Sequence, residues 1–358
     1  MKKIIFKLIL IPLIIVLFPI TSLFQPKLEI VNYWDVSKKT SAVLFSPNCK
    51  DIASTDSIVT IDLDPLNPEP KQIYSVKLST PIPTRIRKLA YSPDGKYLAG
   101  SGNDGKIYIW DALKFNSAST LSSFKNIASH AGDITCLTFS PDGKYLASGG
   151  EDKVINILDV STWRSIKRIT SNSGVIADLK FSPGGNYLAS CCWDENKVVI
   201  WNVAEWTIAK TLYNEGDDNF YKLDFSPDGK FLAGTTLFGN TLIWERWNSW
   251  KSKNFRLHVS TVHGFKISPD GKYLIATGGG IINIFTFGEW DEPLSVRAKD
   301  KENVTSLSFS PNGKSIVFIC GAEMQICSIN PPMAPDPNMK IQDKELSEQS
   351  TKDLPRRR

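Results

Sequence analysis

The chain has 358 residues, of which 42% are hydrophobic, 22% charged and 11% aromatic. This composition is typical of folded globular proteins and excludes a wholly disordered chain or a collagen-like fibre. The net charge of +5 lies mostly at the ends, because residues 1–25 contain three lysines and no acid, and residues 330–358 contain six basic and five acidic residues. The central part therefore lacks the basic excess expected of a protein that binds nucleic acid.

Residues 1–25 have the layout of a segment that directs export. A short basic start precedes an unbroken apolar stretch over residues 8–18, which ends at Pro19. Ile20 and Ser22 match the small residues of a cleavage site poorly, and the apolar run, if extended past Pro19, is near the minimum that spans a bilayer. The segment is thus either a cleaved signal peptide or an uncleaved transmembrane anchor. Both alternatives place the rest of the chain on the outer side of the cell membrane, periplasmic or extracellular.

One ten-residue pattern recurs seven times, and successive copies begin 42 to 48 residues apart. The copies begin at Phe45, Tyr91, Phe139, Phe181, Phe225, Ile267 and Phe309. The third copy reads FSPDGKYLAS, in which Ser-Pro-Asp-Gly favours a type I turn. Alternating runs at 134–139, 144–148, 154–159 and 165–170 predict four strands around this turn. A repeat of this length predicts an all-β protein made of four-stranded units.

The third strand of each unit ends in a residue pair related to Trp-Asp. The pairs are Ile61-Asp62, Trp110-Asp111, Leu158-Asp159, Trp201-Asn202, Trp244-Glu245, Phe285-Thr286 and Cys327-Ser328. With these pairs and the sevenfold recurrence, residues 28–329 resemble the WD40 repeat family. The resemblance implies an all-β, seven-bladed propeller with four antiparallel strands per blade. No fourth strand follows the seventh unit, so residues 28–34 are expected to fill that outer position as an N-terminal strand that closes the ring.

In the WD40 family a His, a Ser or Thr, an Asp and a Trp tie each blade together by hydrogen bonds. The resemblance assigns this structural network to His130, Ser148, Asp152, Asp104, Trp110, Asp194, Trp201 and Trp244. No unit has all four members, since the third unit has Leu158 in place of Trp and the fourth has Asn172 in place of His. Stability is therefore expected to depend more on core packing than on this network.

The same family binds partners through the rim that carries the turns between second and third strands. This assigns partner binding to Asn103 and Glu151, each just before a turn Asp, to Asp133 before a first strand, and to Trp193. Trp193 does not recur in other copies, so it either anchors a partner or packs locally. Four other aromatic residues recur at one position and are predicted to pack at the start of the outer strand: Phe115, Trp163, Trp206 and Trp290.

No catalytic motif is present: the sequence has no nucleophile elbow, HExxH helix or phosphate-binding loop. The glycines at 278–280 replace a hairpin turn, and the acidic loop at 214–219 lacks the spacing of a calcium loop. His263 is expected to line the core or the channel. Six cysteines without a CxxC pair predict no zinc site, while their disulfide state stays open. We expect neither a metal nor a cofactor.

Residues 330–358 are rich in Pro, Lys, Asp, Glu and Ser, and are predicted to be disordered. The protein is predicted to be a monomeric ring that acts as a non-catalytic scaffold for protein partners, exported or held by one N-terminal membrane span. The alternative is a propeller enzyme, or a sensor of a small ligand or ion, that uses the central channel. Convergent carboxylates with raised pKa values in that channel would favour the alternative.

Overall fold

The computed structural model describes residues 27–330 apart from the segments 37–39, 56, 63–70, 78–83, 116–123, 171–173, 217, 247–248, 257–260, 289–292 and 299–302. Lys27–Asn330 forms one compact unit. The predicted signal or anchor segment and the predicted tail after residue 330 lie outside the described residues. Within the described part of the chain, no helix is long and apolar enough to span a membrane.

The strands form seven four-stranded antiparallel sheets, called blades below. The first strand is β1 (Lys27–Asp35). Blade 1 consists of β2 (Val43–Phe45), β3 (Asp51–Ser54), β4 (Ser57–Asp62) and β5 (Lys71–Lys77). Blade 2 consists of β6 (Ile86–Tyr91), β7 (Tyr97–Gly102), β8 (Lys106–Asp111) and β9 (Phe124–Ala128). Blade 3 consists of β10 (Ile134–Phe139), β11 (Tyr145–Gly150), β12 (Ile155–Asp159) and β13 (Arg164–Ile169). A short 3-10 helix, Ala112–Lys114, follows β8.

The other four blades repeat this order of strands. Blade 4 consists of β14 (Ile176–Phe181), β15 (Tyr187–Cys192), β16 (Lys197–Asn202) and β17 (Thr207–Tyr213). Blade 5 consists of β18 (Phe220–Phe225), β19 (Phe231–Thr236), β20 (Asn240–Glu245) and β21 (Lys251–Arg256). Blade 6 consists of β22 (Gly264–Ile267), β23 (Tyr273–Gly278), β24 (Ile281–Thr286) and β25 (Leu294–Arg297). Blade 7 consists of β26 (Val304–Phe309), β27 (Ser315–Cys320), β28 (Glu323–Asn330) and β1.

The first strand of each blade faces the centre of a ring. Each of these inner strands contacts the inner strand of the next blade, and β26 of blade 7 contacts β2 of blade 1. The amides of Val43 and Phe45 donate to the hydroxyls of Ser306 and Ser308 across that last junction, at 3.2 and 3.4 Å. On the outside of blade 7, β1 pairs antiparallel with β28. The predicted all-β propeller with four antiparallel strands per blade is confirmed. Its strands extend from residue 27 to residue 330, one residue beyond each end of the predicted range 28–329.

The recurring Ser-Pro-Asp-Gly segment forms the predicted turn between the first and second strands. In the third copy the amide of Gly143 donates to the carbonyl of Ser140 at 2.9 Å. The Ser140 hydroxyl donates to Asp142 at 2.6 Å and accepts from the amide of Tyr145 at 2.9 Å. Gly143 has a φ of +71°, which residues with a side chain rarely adopt. The turn therefore requires the residue types that recur in the sequence.

The hydrophobic core lies between neighbouring blades. Ile155 and Ile157 of blade 3, for example, pack in one cluster with Ile176, Leu179 and Phe181 of blade 4. Strand alternation produces this arrangement, because every second side chain of a strand points to the same face of its sheet. Each blade is thus stabilised by apolar surface that it shares with the next.

The recurrent aromatic residues add contacts between blades, as predicted. Trp163 and Trp206 pack edge to face on Tyr97 and Tyr145 of the preceding blades, with ring centres 5.2 and 5.5 Å apart. Phe115 is buried, with 2% of its surface exposed. Trp290, the fourth member of this set, lies outside the described residues.

Candidate protein-binding rim

One end of the ring, called the rim below, carries the turns between second and third strands and the residues just before the inner strands. The same type of backbone hydrogen bond joins these two parts in blades 2, 3 and 4, from the amides of Asn103, Glu151 and Trp193 to the carbonyls of Arg85, Asp133 and Val175. Their lengths are 3.2, 3.0 and 3.0 Å. All four predicted binding residues, Asn103, Asp133, Glu151 and Trp193, therefore lie at the same end of the ring.

Asn103, Asp133 and Glu151 form the part of the rim that we call the polar sector, over blades 2 and 3. Two of these side chains already have partners within the protein. Asp133 makes an ion pair with Arg87 at 2.8 Å, and the side-chain oxygen of Asn103 accepts from the hydroxyl of Thr84. Glu151 is exposed. The polar sector is therefore a hydrated surface whose main side-chain interactions are internal.

A hydrogen-bonded network lies beneath the polar sector in blade 3. The imidazole of His130 lies 2.8 Å from a carboxylate oxygen of Asp152 through Nδ1 and 2.8 Å from the hydroxyl of Ser148 through Nε2. Burial lowers the pKa of His130 more than Asp152 raises it, so the neutral ring donates to Asp152 and accepts from Ser148 at pH 7. Burial would raise the pKa of Asp152, but the hydrogen bonds from His130 and from the amides of Ala131 and Val154 together outweigh it, and the pKa lies below its ordinary value. The structure thus brings together these three predicted residues.

Blade 2 lacks the corresponding network around its Trp. Trp110 is buried, and its indole nitrogen has no hydrogen-bond partner among the described residues. Gly100 occupies the position of the network Ser, and a Cβ atom there would lie 2.7 Å from the Trp110 ring. The ring therefore fills the space that a Ser would need. Asp104 instead accepts a hydrogen bond from the hydroxyl of Tyr108 at 2.8 Å.

Blades 4 and 5 each retain part of the predicted set. In blade 4 the indole of Trp201 donates to the hydroxyl of Ser190 at 2.9 Å. Asp194 is exposed, and no described residue donates a hydrogen bond to its carboxylate. Trp244 of blade 5 is buried against Phe220, with ring centres 5.3 Å apart. The predicted network residues thus separate into hydrogen-bonded members, members that fill the core, and the exposed Asp194.

The rim over blades 4 and 5 is apolar. Trp193 is 41% exposed and stacks on the ring of Tyr221, with centres 6.5 Å apart and planes at 29°. Beside them, Leu237 is 37% and Phe238 57% exposed. The four side chains, which we call the aromatic sector, line a surface depression of about 380 Å³ together with Asp218. Exposed apolar groups in such a cluster are typical of interaction sites on soluble proteins.

The turn between β19 and β20 explains why two large apolar side chains are exposed. The amide of Gly239, which has a φ of +86°, donates to the carbonyl of Thr236 at 3.2 Å. Leu237 and Phe238 occupy the two central positions of this turn, where side chains leave the sheet and polar residues are usual. Sequence analysis identified Trp193 but missed Tyr221, Leu237 and Phe238. The sequence does contain a sign of this site: Leu237 and Phe238 are apolar residues at the turn positions that Asn103 and Asp104 occupy in blade 2.

The inner strands surround a central channel with a cavity of about 520 Å³. Its lining includes His263, as predicted, together with Lys88, Lys180, Lys222 and Asp178. Burial would raise the pKa of Asp178, but Lys180 and Lys222 outweigh it, so the pKa lies below its ordinary value. This carboxylate is therefore the opposite of the raised-pKa group that a catalytic channel was expected to contain.

In the described part of the chain, the remaining candidate sites have structural roles. Asn214 closes the acidic loop on itself through the amide of Gly216 and the carbonyl of Asp218, at 3.1 and 3.0 Å. Gly279 and Gly280 have φ values of +55° and +72° and form the predicted turn. None of the six cysteines forms a disulfide within the described part of the chain. Among the described residues, no group of His, Cys, Asp or Glu is placed to hold a metal ion.

The blades form a β-propeller that is built from repeated four-stranded units. A family model described as WD domain, G-beta repeat matches residues 73–111, 121–159 and 163–202. Each matched segment begins in or next to the outer strand of one blade and ends with the third strand of the next blade. The chain therefore contains WD40 repeats. A comparison with curated proteins finds no match.

Proposed function

We propose that this WD40-repeat protein is a non-catalytic scaffold that binds protein partners through the aromatic sector of its rim. The observation that carries this proposal is the cluster of Trp193, Tyr221, Leu237 and Phe238, which leaves apolar surface in contact with water. WD40 propellers as a family bind protein partners. Trp and Tyr are the residues that most often contribute a large share of binding free energy at protein interfaces.

The depression at the aromatic sector fits an apolar side chain of a partner rather than a charged one. Its walls are mostly aromatic, and the carboxylate of Asp218 at its edge is already bonded by the side-chain amide of Asn240. A partner residue such as Leu or Phe would bury its own surface and that of Phe238 at once. Burial of apolar surface contributes about 25 cal/mol for each Å² removed from water.

The rigidity of the rim favours binding. The backbone bonds of Trp193 to Val175 and of Val262 to Leu237, at 3.0 and 2.9 Å, fix both turns of the aromatic sector to the adjoining segments. Because these turns are ordered before a partner arrives, binding costs little conformational entropy.

The proposed scaffold is a seven-bladed ring whose stability depends on its closing strand. The pairing of β1 with β28 supports this part of the proposal. A chain that starts at Lys27 is expected to unfold in one cooperative transition, whereas a chain that starts at Val36 leaves the edge of β28 unpaired. Equal denaturant midpoints for the two chains would contradict a closing role for β1.

We also propose that the scaffold acts on the outer side of the cell membrane, either exported or membrane-anchored. The basic start and apolar stretch of residues 1–25 support this location. The intact mass of the native protein in separated membrane and soluble fractions tests it. A shortened soluble product indicates cleavage, full-length membrane protein with an externally accessible ring indicates an anchor, and full-length protein in the cytoplasm contradicts export.

Site-specific photo-crosslinking in the native host tests partner binding. A photoreactive residue replaces Phe238 in one variant and Ile166, an equally apolar and 49% exposed residue of outer strand β13, in the matched control. We expect a discrete protein adduct from position 238 that is absent from position 166. The same adducts from both positions, or none from position 238, would contradict the proposed site.

A further inference from the structure

The channel has a charge pattern that the scaffold function does not use. On each inner strand, two positions face the channel. They lie three residues and one residue before the aromatic residue or Ile that begins the ten-residue repeat. At these positions blades 2, 4, 5 and 6 carry four lysines and two aspartates, namely Lys88, Asp178, Lys180, Lys222, Asp224 and Lys266. The same positions in the other three blades carry neutral residues. These positions thus give the channel a net positive charge, contributed by four of the seven blades.

Both aspartates are already engaged by the protein. Asp178 lies 3.8 Å from the amine of Lys180 and accepts from the amide of Leu223 in the next blade at 3.1 Å. Asp224 lies 3.8 Å from the amine of Lys266 and accepts from the amide of Ile267 at 2.9 Å. Each aspartate therefore balances one lysine and also joins two inner strands.

Lys88 and Lys222 remain without a carboxylate. Among the described residues, neither amine lies within ion-pair distance of an Asp or Glu, and the amine of Lys222 instead lies over the Tyr221 ring, 4.7 Å from its centre. The charge of Lys222, followed by burial, lowers the pKa of Lys88 to about 7. The two amines therefore repel each other in a partly buried site, and an anion between them would remove that repulsion.

His263 adds a third nitrogen donor to the same part of the channel. Its ring lines the cavity, and no described residue makes a hydrogen bond with it. Burial, followed by the charges of Lys222 and Lys88, lowers its pKa. The ring is therefore neutral at pH 7 and can donate one N–H without adding charge.

We propose that the central channel binds a small doubly charged oxyanion, a phosphate or sulfate group, between Lys88, Lys222 and His263. Two amines neutralise the two charges of such a group, and the imidazole donates to a further oxygen. The cavity of about 520 Å³ is large enough for this group with bound water or a small organic substituent. The site adjoins the aromatic sector, because the amine of Lys222 lies over the ring of Tyr221.

The groups that face Lys88 determine how binding depends on pH. They are Lys222 of β18, Asp178 and Lys180 of β14, Cys136 of β10, and His263 just before β22. Asp178 is ionised at neutral pH, burial raises the pKa of Cys136 to about 12 and lowers that of His263, and the pKa of Lys88 itself is about 7. Because the anion requires protonated Lys88, its affinity is expected to fall as pH rises through about 7.

Titration of the full-length protein with sodium sulfate, at constant ionic strength set with sodium chloride, tests the proposal by calorimetry. Sulfate keeps its charge across the tested range, from about pH 6 to about pH 8.5. Lys88→Met and Lys222→Met are each expected to weaken binding by about tenfold or more. Lys167→Met, which removes an exposed lysine of outer strand β13, is the matched control and should leave the affinity unchanged.

The variants remain informative because they are expected to fold. Lys88→Met removes one of two repelling cations, so its thermal midpoint without sulfate should equal or exceed that of the parent. The parent should bind sulfate more tightly at the lower pH, and Lys88→Met should lose most of this pH dependence. A parent protein that shows no heat beyond the chloride control, or an equal loss in Lys167→Met, would overturn the proposal.

A second titration, with glycerol 3-phosphate, distinguishes a free inorganic ion from a phosphate ester. Tighter binding of the ester identifies an organic phosphate as the ligand, and tighter binding of sulfate identifies the free ion. In either case Lys88→Met and Lys222→Met must lose affinity for the site to stand. An affinity for both anions that neither variant changes would place binding elsewhere and contradict the proposal.

Discussion

The two sectors of the rim share one backbone design and differ in what their side chains do. Over blades 2 and 3, Asp133 pairs with Arg87, and His130 and Asp152 bond to each other just beneath. Over blades 4 and 5, Trp193 and Phe238 are exposed to solvent. The polar sector therefore stabilises the blade, whereas the aromatic sector keeps apolar surface in water that only a partner can bury. Position on the rim alone does not identify a binding residue.

The largest effect is expected from the network under the polar sector. Asp152→Ala leaves the buried Nδ1–H of His130 without an acceptor and should lower the free energy of unfolding by about 2 kcal/mol. Asp194→Ala, at the equivalent turn of blade 4, is the matched control and should cost less than about 0.5 kcal/mol, since its carboxylate has no described donor. Urea denaturation measures both. Similar losses of unfolding free energy in Asp152→Ala and Asp194→Ala would contradict a stabilising role that is confined to the polar sector.

The next effect concerns partner binding by the aromatic sector. Phe238→Ala should weaken the affinity for the crosslinked partner by about tenfold, because it removes an apolar contact near the centre of the proposed interface. Its unfolding free energy should change little, since the side chain is 57% exposed. Surface plasmon resonance with the purified partner gives the affinity. An unchanged affinity would remove Phe238 from the interface.

A smaller effect is expected from the titration of His130. Its folded-state pKa lies below the unfolded value because of burial. The unfolded chain therefore binds the proton more readily, and the stability contributed by the neutral ring is present above about pH 6.5 and is lost as pH falls through the folded-state pKa. His130→Gln should flatten this part of the curve of unfolding free energy against pH. His263 and Lys88, whose pKa values are also lowered, should contribute to the slope that remains.

The smallest effect is expected from the polar sector in binding. Asp133→Ala removes an ion pair with Arg87, whose side chain is 47% exposed, so the change in stability should be under about 1 kcal/mol. Its effect on partner affinity should be under about twofold, because the carboxylate already has an internal partner. A tenfold loss of affinity would show that the polar sector also contacts the partner.

Much of the fold was predictable because each blade repeats the same local chemistry. The turn uses its Ser hydroxyl and a residue with positive φ in every copy, and in most copies an Asp or Asn oxygen that accepts from that hydroxyl, so the sequence of the turn recurs with the structure. The predicted strand at 144–148 ended too early: β11 continues through Gly149 and Gly150, because they pair with Cys136 and Ile134. Glycines usually signal turns, and here the pairing of the neighbouring strand decides.

The candidate sites were less predictable because their residues do not recur. Trp193 was noticed since no other copy has it, whereas Leu237 and Phe238 were not singled out. Lys88 and Lys222 alternate with apolar residues as any polar strand residue does, and they come together only when the ring places β6 and β18 around one channel. The candidate sites lie where the sequence departs from the repeat, and a search for recurring residues does not detect such positions.

Hydrogen–deuterium exchange of the ring, with and without its crosslinked partner, tests the central claim most directly. The account predicts that the partner slows exchange in the two turns of the aromatic sector, residues 191–195 and 236–240, and leaves the turns at 102–106 and 149–153 unchanged. Protection confined to the turns at 102–106 and 149–153 would contradict it, and would make the polar sector the binding surface.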